Sequence, residues 1–330
     1  MRPIFWLNNA RYVSFPQSLL PAFVAVALAF GQPGFSWGLS LLAVFGCVMA
    51  HFGFNILDDY FDFRNNDGKV REKLAGMGMR SRIAKCSYIT SGEADIIQTR
   101  NAALVFLSLA AVSGAVIWYC RDFDYRLALI VALALVLGYS YSGKPLALGY
   151  YGFGELVIGS MFGPLLMSGT YISACGDWSN ALLMVSLATG MLVMNIVYSH
   201  SVVDRVSDAA IGKMTFARIL RGKAPMLAAS ALMIFLPFML VIAAVEFFGL
   251  SRWNYMVFVI LPWAIVLYRY LYCFVYEKIV DETPRWWMGP MERWDLITQA
   301  GIGWFMIRWY LARNLLSMFC VVLIVVNFLV

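Results

Sequence analysis

Residues 37–62 read WGLSLLAVFGCVMAHFGFNILDDYFD, one long apolar run that ends in three aspartates. No Asp, Glu, Lys or Arg interrupts 37–57, and a helix of that length, rising about 1.5 Å per residue, reaches across a hydrocarbon core of about 30 Å. Asp58, Asp59 and Asp62 follow at once. The pattern returns later, where the apolar stretch 180–200 leads into Asp204 and Asp208. Carboxylates next to a bilayer interior are costly and mark functional positions.

The rest of the chain extends this reading. Of its 330 residues 62% are apolar and 13% charged, with a mean hydropathy of +0.73, whereas soluble domains are nearer about half apolar. Apolar stretches of roughly 17–25 residues fall at 14–31, 37–57, 101–119, 126–142, 154–174, 180–200, 226–247 and 252–276, with a last one ending at Val330. The expected fold is therefore all-α, a polytopic membrane protein of about nine transmembrane helices bundled around a central cavity. Long continuous runs exclude a β-barrel, whose strands alternate. No cleavable signal peptide is expected, since Pro16 and Pro21 break the first stretch and no small-residue cleavage site follows.

Lysine and arginine set the orientation. Arg64, Lys69, Arg71, Lys73, Arg80, Arg82, Lys85 and Arg100 lie between the second and third stretches, and Arg205, Lys213, Arg218, Arg221 and Lys223 between the sixth and seventh. The opposite side holds Arg121, Arg126 and Arg252. Both aspartate clusters are thus expected on the cytoplasmic face of the cell inner membrane. This bias accounts for the net charge of +6, and no nucleic-acid partner is expected. Six cysteines form no C-x-x-C pair, and there are two histidines, His51 and His200. Neither a disulfide frame nor a thiolate metal site is indicated.

The chain reads as a single transmembrane domain, 1–330, built from a four-helix unit that is repeated and followed by a ninth helix. Between the last two stretches, residues 277–308 mix Trp286, Trp287, Trp294 and Trp304 with charges, and Arg308, Trp309 and Arg313 follow. Tryptophan beside arginine suits a segment lying in the headgroup layer.

Within the second stretch His51, Asn55, Asp58, Asp59 and Asp62 recur at spacings of three and four, which lines them along one helix face. His200, Asp204 and Asp208 repeat the arrangement. Two such stripes at matching depth can converge on one cation cluster. Carboxylate oxygens without sulfur suit Mg²⁺, which keeps several waters and also binds phosphate oxygens. Lys213 and Arg218 after the second cluster, and Arg64 and Lys69 after the first, would help neutralise a diphosphate.

The run Asp204-Arg205-Val206-Ser207-Asp208-Ala209-Ala210-Ile211-Gly212-Lys213-Met214-Thr215 resembles the D-x-x-x-D-x-x-x-G-K-x-T signature of the UbiA superfamily of intramembrane prenyltransferases. Asp58, Asp59 and Asp62 resemble that family's N-D-x-x-D motif, with aspartate at the asparagine position. Tyr141-Ser142-Gly143-Lys144-Pro145, Tyr151-Gly152-Phe153-Gly154-Glu155 and Phe162-Gly163-Pro164 are similar to the 1,4-dihydroxy-2-naphthoate branch, which serves menaquinone synthesis. The later aspartate of the first motif would fall at Asp67, one residue off register. His200 and Ser201 stand where an asparagine pair is usual, and 69–85 is longer than usual.

This resemblance implies Mg²⁺-dependent transfer of a polyprenyl group from polyprenyl diphosphate to an aromatic acceptor, within the lipid bilayer. It implies Asp58, Asp62, Asp67, Asp204 and Asp208 as metal ligands, with Asp59 beside them in the catalytic set. Asn55, Arg64, Tyr141, Lys144, Glu155 and Lys213 would contact substrates, and Glu155 would orient or deprotonate the acceptor or else only favour its helix N-terminus. Dihydroxynaphthoate is the first acceptor, with 4-hydroxybenzoate, homogentisate or a haem-like ring as alternatives. An ion-coupled transporter is the rival class, although its carboxylates should lie near the midplane.

Overall fold

The computed structural model describes residues 3–66, 86–210 and 212–329. Among them the backbone is helical, and the sole β pairing is an isolated bridge between Tyr151 and Met214. Eight helical runs among the described residues are long and apolar enough to cross a membrane: Trp37–Arg64, Ile96–Cys120, Tyr125–Ser142, Gly154–Cys175, Asn180–Val203, Lys223–Phe248, Arg252–Val275 and Gly303–Leu329. The chain is an all-α, polytopic integral membrane protein. Its contacts divide it into two compact units, Met1–Leu148 with Ser168–Trp178, and Gly149–Met167 with Ser179–Val330.

The first unit opens with α1 (Pro3–Asn9), a 3₁₀ turn at Tyr12–Ser14 and α2 (Pro16–Ala29), then α3 (Trp37–Asn66), the short α4 (Ser87–Thr90), α5 (Ile96–Cys120) and α6 (Tyr125–Ser142). α2 is the stretch expected to be a span at 14–31. It has 14 residues, about 21 Å of helix, because Pro16 can occupy only the first turn. α2 packs along α3 in the antiparallel sense. Arg11, Ser14 and Ser18 meet Asp58, Asn55 and His51 in turn, while Phe30 at its other end meets Trp37.

Caps explain where the neighbouring helices begin. Asp95 and Gln98 close a reciprocal capping box at the start of α5, and the Asp124 carboxylate accepts from Arg126 N at the start of α6, each satisfying an amide that has no intrahelical partner. The Arg126 guanidinium also holds the Asp124 carboxyl below its usual range. α5 and α6 leave Leu104, Val112, Leu129 and Val136 exposed, as spans facing lipid do. At the far end of α5, Arg121 donates to Ser173 O at 3.0 Å, Ala174 O at 2.6 Å and Gly34 O at 3.1 Å.

The second unit holds α7 (Gly154–Ser160), a π turn at Met161–Leu165, the first residues of α8 (Leu166–Cys175), α9 (Asn180–Val203), α10 (Arg205–Ala210) and α11 (Phe216–Ile219). α12 (Lys223–Phe248), a 3₁₀ run at Arg252–Ile260, α13 (Leu261–Val275), α14 (Trp294–Gln299) and α15 (Gly303–Leu329) complete it. The π turn falls at Pro164, which has no N–H for a regular α ladder. α9 is the core of this unit, with α7, α12 and α15 packed on it.

Residues 277–302 form a strap between α13 and α15 that buried side chains hold by its main chain. Tyr270 donates to Asp281 O at 2.5 Å, Asn314 to Met288 O at 3.0 Å, Arg313 to Pro290 O at 2.9 Å and Tyr310 to Glu292 O at 2.8 Å. Arg308 adds a 3.2 Å ion pair to Glu282. Arg308 and Arg313, 3% and 5% exposed, therefore turn inward to the strap instead of snorkelling to headgroups. Trp286 is the strap's exposed tryptophan.

Candidate active site

In the first unit the stripe on α3 forms as its spacing predicts. α3 has 30 residues, about 45 Å, so its last turns run past a 30 Å core and carry Asp58, Asp59 and Asp62 to the boundary. Asp59 and Asp62 are each 2% exposed. The N-terminal segment supplies a cation to Asp58 and Asp59. Arg11, held in the left-handed region at φ 60 and ψ 53, forms ion pairs with Asp58 at 3.2 Å and with Asp59. Burial works to lower the Arg11 pKa, but the charges of Asp59 and Asp58 outweigh it and keep the guanidinium above its ordinary value. Tyr88 donates to Asp59 Oδ2 at 3.3 Å; burial first, then Asp59, pushes its hydroxyl up and keeps it a donor. Ser142, at the end of α6, donates to Asp58 Oδ1.

The upper part of the stripe is structural. Asn55 donates to Ala10 O at 2.9 Å, and the two ring nitrogens of His51 meet Ser18 and Ser14 hydroxyls at 2.7 and 3.2 Å. Asn55, expected at the substrate, clamps the N-terminal segment through its amide nitrogen. Arg64 is exposed and donates to Tyr60 at 3.2 Å. Tyr141 is half-buried and Lys144 exposed. Asp67, together with Lys69 and the stretch to Lys85, lies outside the described residues.

In the second unit α9 ends at Asp204, which serves as its C-cap residue, and α10 carries Asp208 one turn later. They are 4% and 2% exposed. His200 Nδ1 lies 3.2 Å from Asp204 Oδ2, and its ring meets Phe305 edge-on with centroids 4.6 Å apart. The glycine and lysine that follow have a geometric reason. Gly212 has φ +69 and its N–H bonds Ala209 O at 3.1 Å, while Lys213 N–H bonds Asp208 O at 2.9 Å. These are the two bonds of a Schellman helix stop, which glycine enters without steric cost. The lysine therefore begins where the aspartate's own carbonyl ends. Arg218 donates to Lys213 O and Asp208 O through one guanidinium nitrogen, which holds it at the helix end.

The Tyr151-Gly152-Phe153-Gly154-Glu155 run packs directly on that loop. Met214 N–H bonds Tyr150 O at 3.0 Å, and Lys213 Nζ stands 5.8 Å from the Tyr150 ring centre. Gly152, at φ +87, faces Ile219 so closely that any Cβ would strike it. Glu155, 2% exposed, accepts from Ser201 Oγ at 2.7 Å and from Phe216 N at 3.3 Å on one oxygen. Two motifs that stand about 50 residues apart in sequence are here one structure.

Sequence reasoning assigned no role to Arg11, Tyr88 or Ser142. Ser142 lay inside a quoted run, but Arg11 gave no signal beyond a lone arginine ahead of an apolar stretch. Asp62 in the first unit, and Asp204 and Asp208 in the second, are buried carboxylates, the hard oxygen donors that Mg²⁺ takes. Among the described residues no three His, Cys, Asp or Glu side chains gather into a ready metal cage. Asp58, Asp59 and Asp62 lie in the last turns of α3, and Asp204 caps the end of α9.

Comparison with known proteins places the chain in a family. The chain is 27% identical over 215 residues to a 1,4-dihydroxy-2-naphthoate octaprenyltransferase of Mycobacterium tuberculosis, covering 64% of this chain and 68% of that one. It is 24% identical over 265 residues to the Bacillus subtilis protein of the same name, covering 79% and 80%. A 2-carboxy-1,4-naphthoquinone phytyltransferase of Synechocystis sp. is 26% identical over 210 residues, and the match spans 63% of each chain. In fold it is similar to a UbiA homolog from Archaeoglobus fulgidus bound to GPP and Mg²⁺, with a TM-score of 0.58 at 17% identity, covering 94% of this chain and 99% of that one. Residues 18–295 match the UbiA prenyltransferase family, a stretch that takes in both aspartate stripes, the Schellman stop and Glu155, and the chain belongs to that family.

Proposed function

We propose that this protein transfers a polyprenyl group from polyprenyl diphosphate to an aromatic acceptor, with 1,4-dihydroxy-2-naphthoate as the first acceptor, and that it does so with Mg²⁺ at the cytoplasmic side of the cell inner membrane. One observation carries the reading: α3 and the α9–α10 junction each end in buried aspartates one turn apart, the second pair joined by backbone to Lys213. The names of the relatives from M. tuberculosis and B. subtilis support the naphthoate acceptor.

Asp62, Asp204 and Asp208 would hold the metal, with Asp58, Asp59 and Asp67 of the first motif contributing to the same cluster. Bound Mg²⁺ would stabilise the charge that develops on the departing diphosphate. Lys213 donates to the diphosphate oxygens and shares in that stabilisation, which is worth most in a site shielded from water. The allylic C–O bond breaks with its electron pair leaving on the diphosphate. An electron-rich ring carbon of the acceptor then bonds to the allylic carbon and the ring loses its proton. Tyr141, Lys144 and Arg64 are the side chains proposed to contact acceptor or diphosphate. Surrounding lipid keeps water from the allylic cation and so limits hydrolysis.

The test is purified protein in liposomes given polyprenyl diphosphates and a panel of aromatic acceptors, with and without Mg²⁺, and products identified by mass. A prenylated naphthoate product that requires Mg²⁺ is expected. Turnover with 4-hydroxybenzoate or homogentisate alone would overturn the acceptor and leave the reaction class; no prenylated product with any acceptor would overturn both.

A further inference from the structure

We propose that Glu155 is a positioning residue, the tie that holds the Lys213 loop against α9, and not the group that takes the acceptor's proton. The inference rests on the reading of Lys213 as a diphosphate ligand.

Glu155 sits in the first turn of α7, where the helix dipole favours a carboxylate. Its Oε1 accepts two protein donors at once, the Ser201 hydroxyl of α9 at 2.7 Å and the Phe216 amide at 3.3 Å. Ser201 stands three residues before Asp204, and Phe216 opens α11 three residues after Lys213. The amide it accepts is one of the first in α11, whose N-cap residue Thr215 makes no side-chain cap. Glu155 therefore performs the capping that Thr215 does not, from another helix. The segment 212–216 is then fixed at both ends: by the Schellman bonds to Asp208 and Ala209 at one, and by Glu155 at the other, with Met214 N–H on Tyr150 O between them. A proton acceptor must turn a lone pair to its substrate. This carboxylate is 2% exposed and spends one oxygen on two protein donors.

The two roles separate on one substitution. Glu155→Gln keeps an amide oxygen that accepts from Ser201 and Phe216 but cannot take a proton at neutral pH, whereas Glu155→Ala removes the tie. Amide hydrogen exchange across 212–217 and steady-state kinetics with polyprenyl diphosphate are measured on both full-length variants in detergent. Expected for Glu155→Ala is exchange faster by about 10- to 100-fold, the loss of one charge-assisted hydrogen bond that closes the loop, and a raised KM for the diphosphate substrate. Glu155→Gln should keep wild-type exchange, near wild-type kcat and an unchanged pH profile. Should Glu155→Ala fail to fold, Glu155→Asp, one methylene shorter, is expected to speed exchange in the same segment.

A Glu155→Gln enzyme with wild-type exchange but lost kcat would overturn the proposal and restore Glu155 as the base. Unchanged exchange in Glu155→Ala would overturn it as well. If the wild-type enzyme turns over no prenyl diphosphate, the reading of the function fails, while the exchange comparison still decides whether Glu155 holds the loop.

Discussion

Arg11 shows how a single side chain is fixed by two costs that offset one another. A non-glycine residue in the left-handed region sacrifices roughly 1 kcal/mol or more, and two adjacent carboxylates at Asp58 and Asp59 would repel each other without a cation. The ion pairs to both offset the backbone strain. Breaking a buried pair costs about 3–5 kcal/mol, but with the Arg11 side chain 36% exposed the expected loss for Arg11→Met is nearer about 2 kcal/mol. Thermal unfolding in detergent measures it, and Asp59→Asn combined with Arg11→Met should restore part of the loss, since the pair couples. Fully additive single losses would contradict the pairing. The aspartates were legible from residue type and spacing alone. Arg11 was not, because its partner Asp58 lies 47 residues away and an isolated arginine near an apolar run reads as an orientation signal.

Helix ends, more than helix interiors, separate what the sequence discloses from what it conceals. Six of the long runs lie within about five residues of their expected limits, since apolar length follows bilayer thickness, while α3 carries on from the expected 57 to Asn66. The G-K of the second motif was legible as a resemblance, and the Schellman stop supplies its physical cause. The strap bonds within 277–308 were not legible, because arginine among tryptophans has the same composition whether or not it also caps the carbonyls of a returning segment. Here Arg313 and Asn314 face Met288 and Pro290. Asn314→Ala should leave the buried Met288 carbonyl without this donor and Pro290 O with Arg313, a cost of about 1–3 kcal/mol, and loosen 286–292 to hydrogen exchange or limited proteolysis while the long helices keep their protection. Unchanged protection of that strap would contradict the role given to α15.

At the scale of the whole chain the count of crossings decides where the termini lie. α2, with 14 residues, is shorter than the eight candidate spans, yet it runs antiparallel to α3, from Asp58 at one end to Trp37 at the other, the geometry expected of a ninth crossing. The account therefore predicts that the two termini lie on opposite faces of the membrane, with Ile4 on the cytoplasmic side. Impermeant thiol labelling of cysteines placed at Ile4 and at Leu329 in intact cells checks this, and labelling of both from the same side would leave only eight crossings. The central claim is that buried aspartates at the ends of α3 and α9 serve the departure of a diphosphate. Diphosphate release by purified Asp62→Asn and Asp208→Asn, measured beside the wild type at saturating Mg²⁺ and polyprenyl diphosphate, tests it most directly. A fall of about 100-fold or more in each, as for the loss of a group that stabilises charge in the transition state, with an unfolding temperature near that of the wild type, is the predicted result; near-normal release from both variants would contradict it.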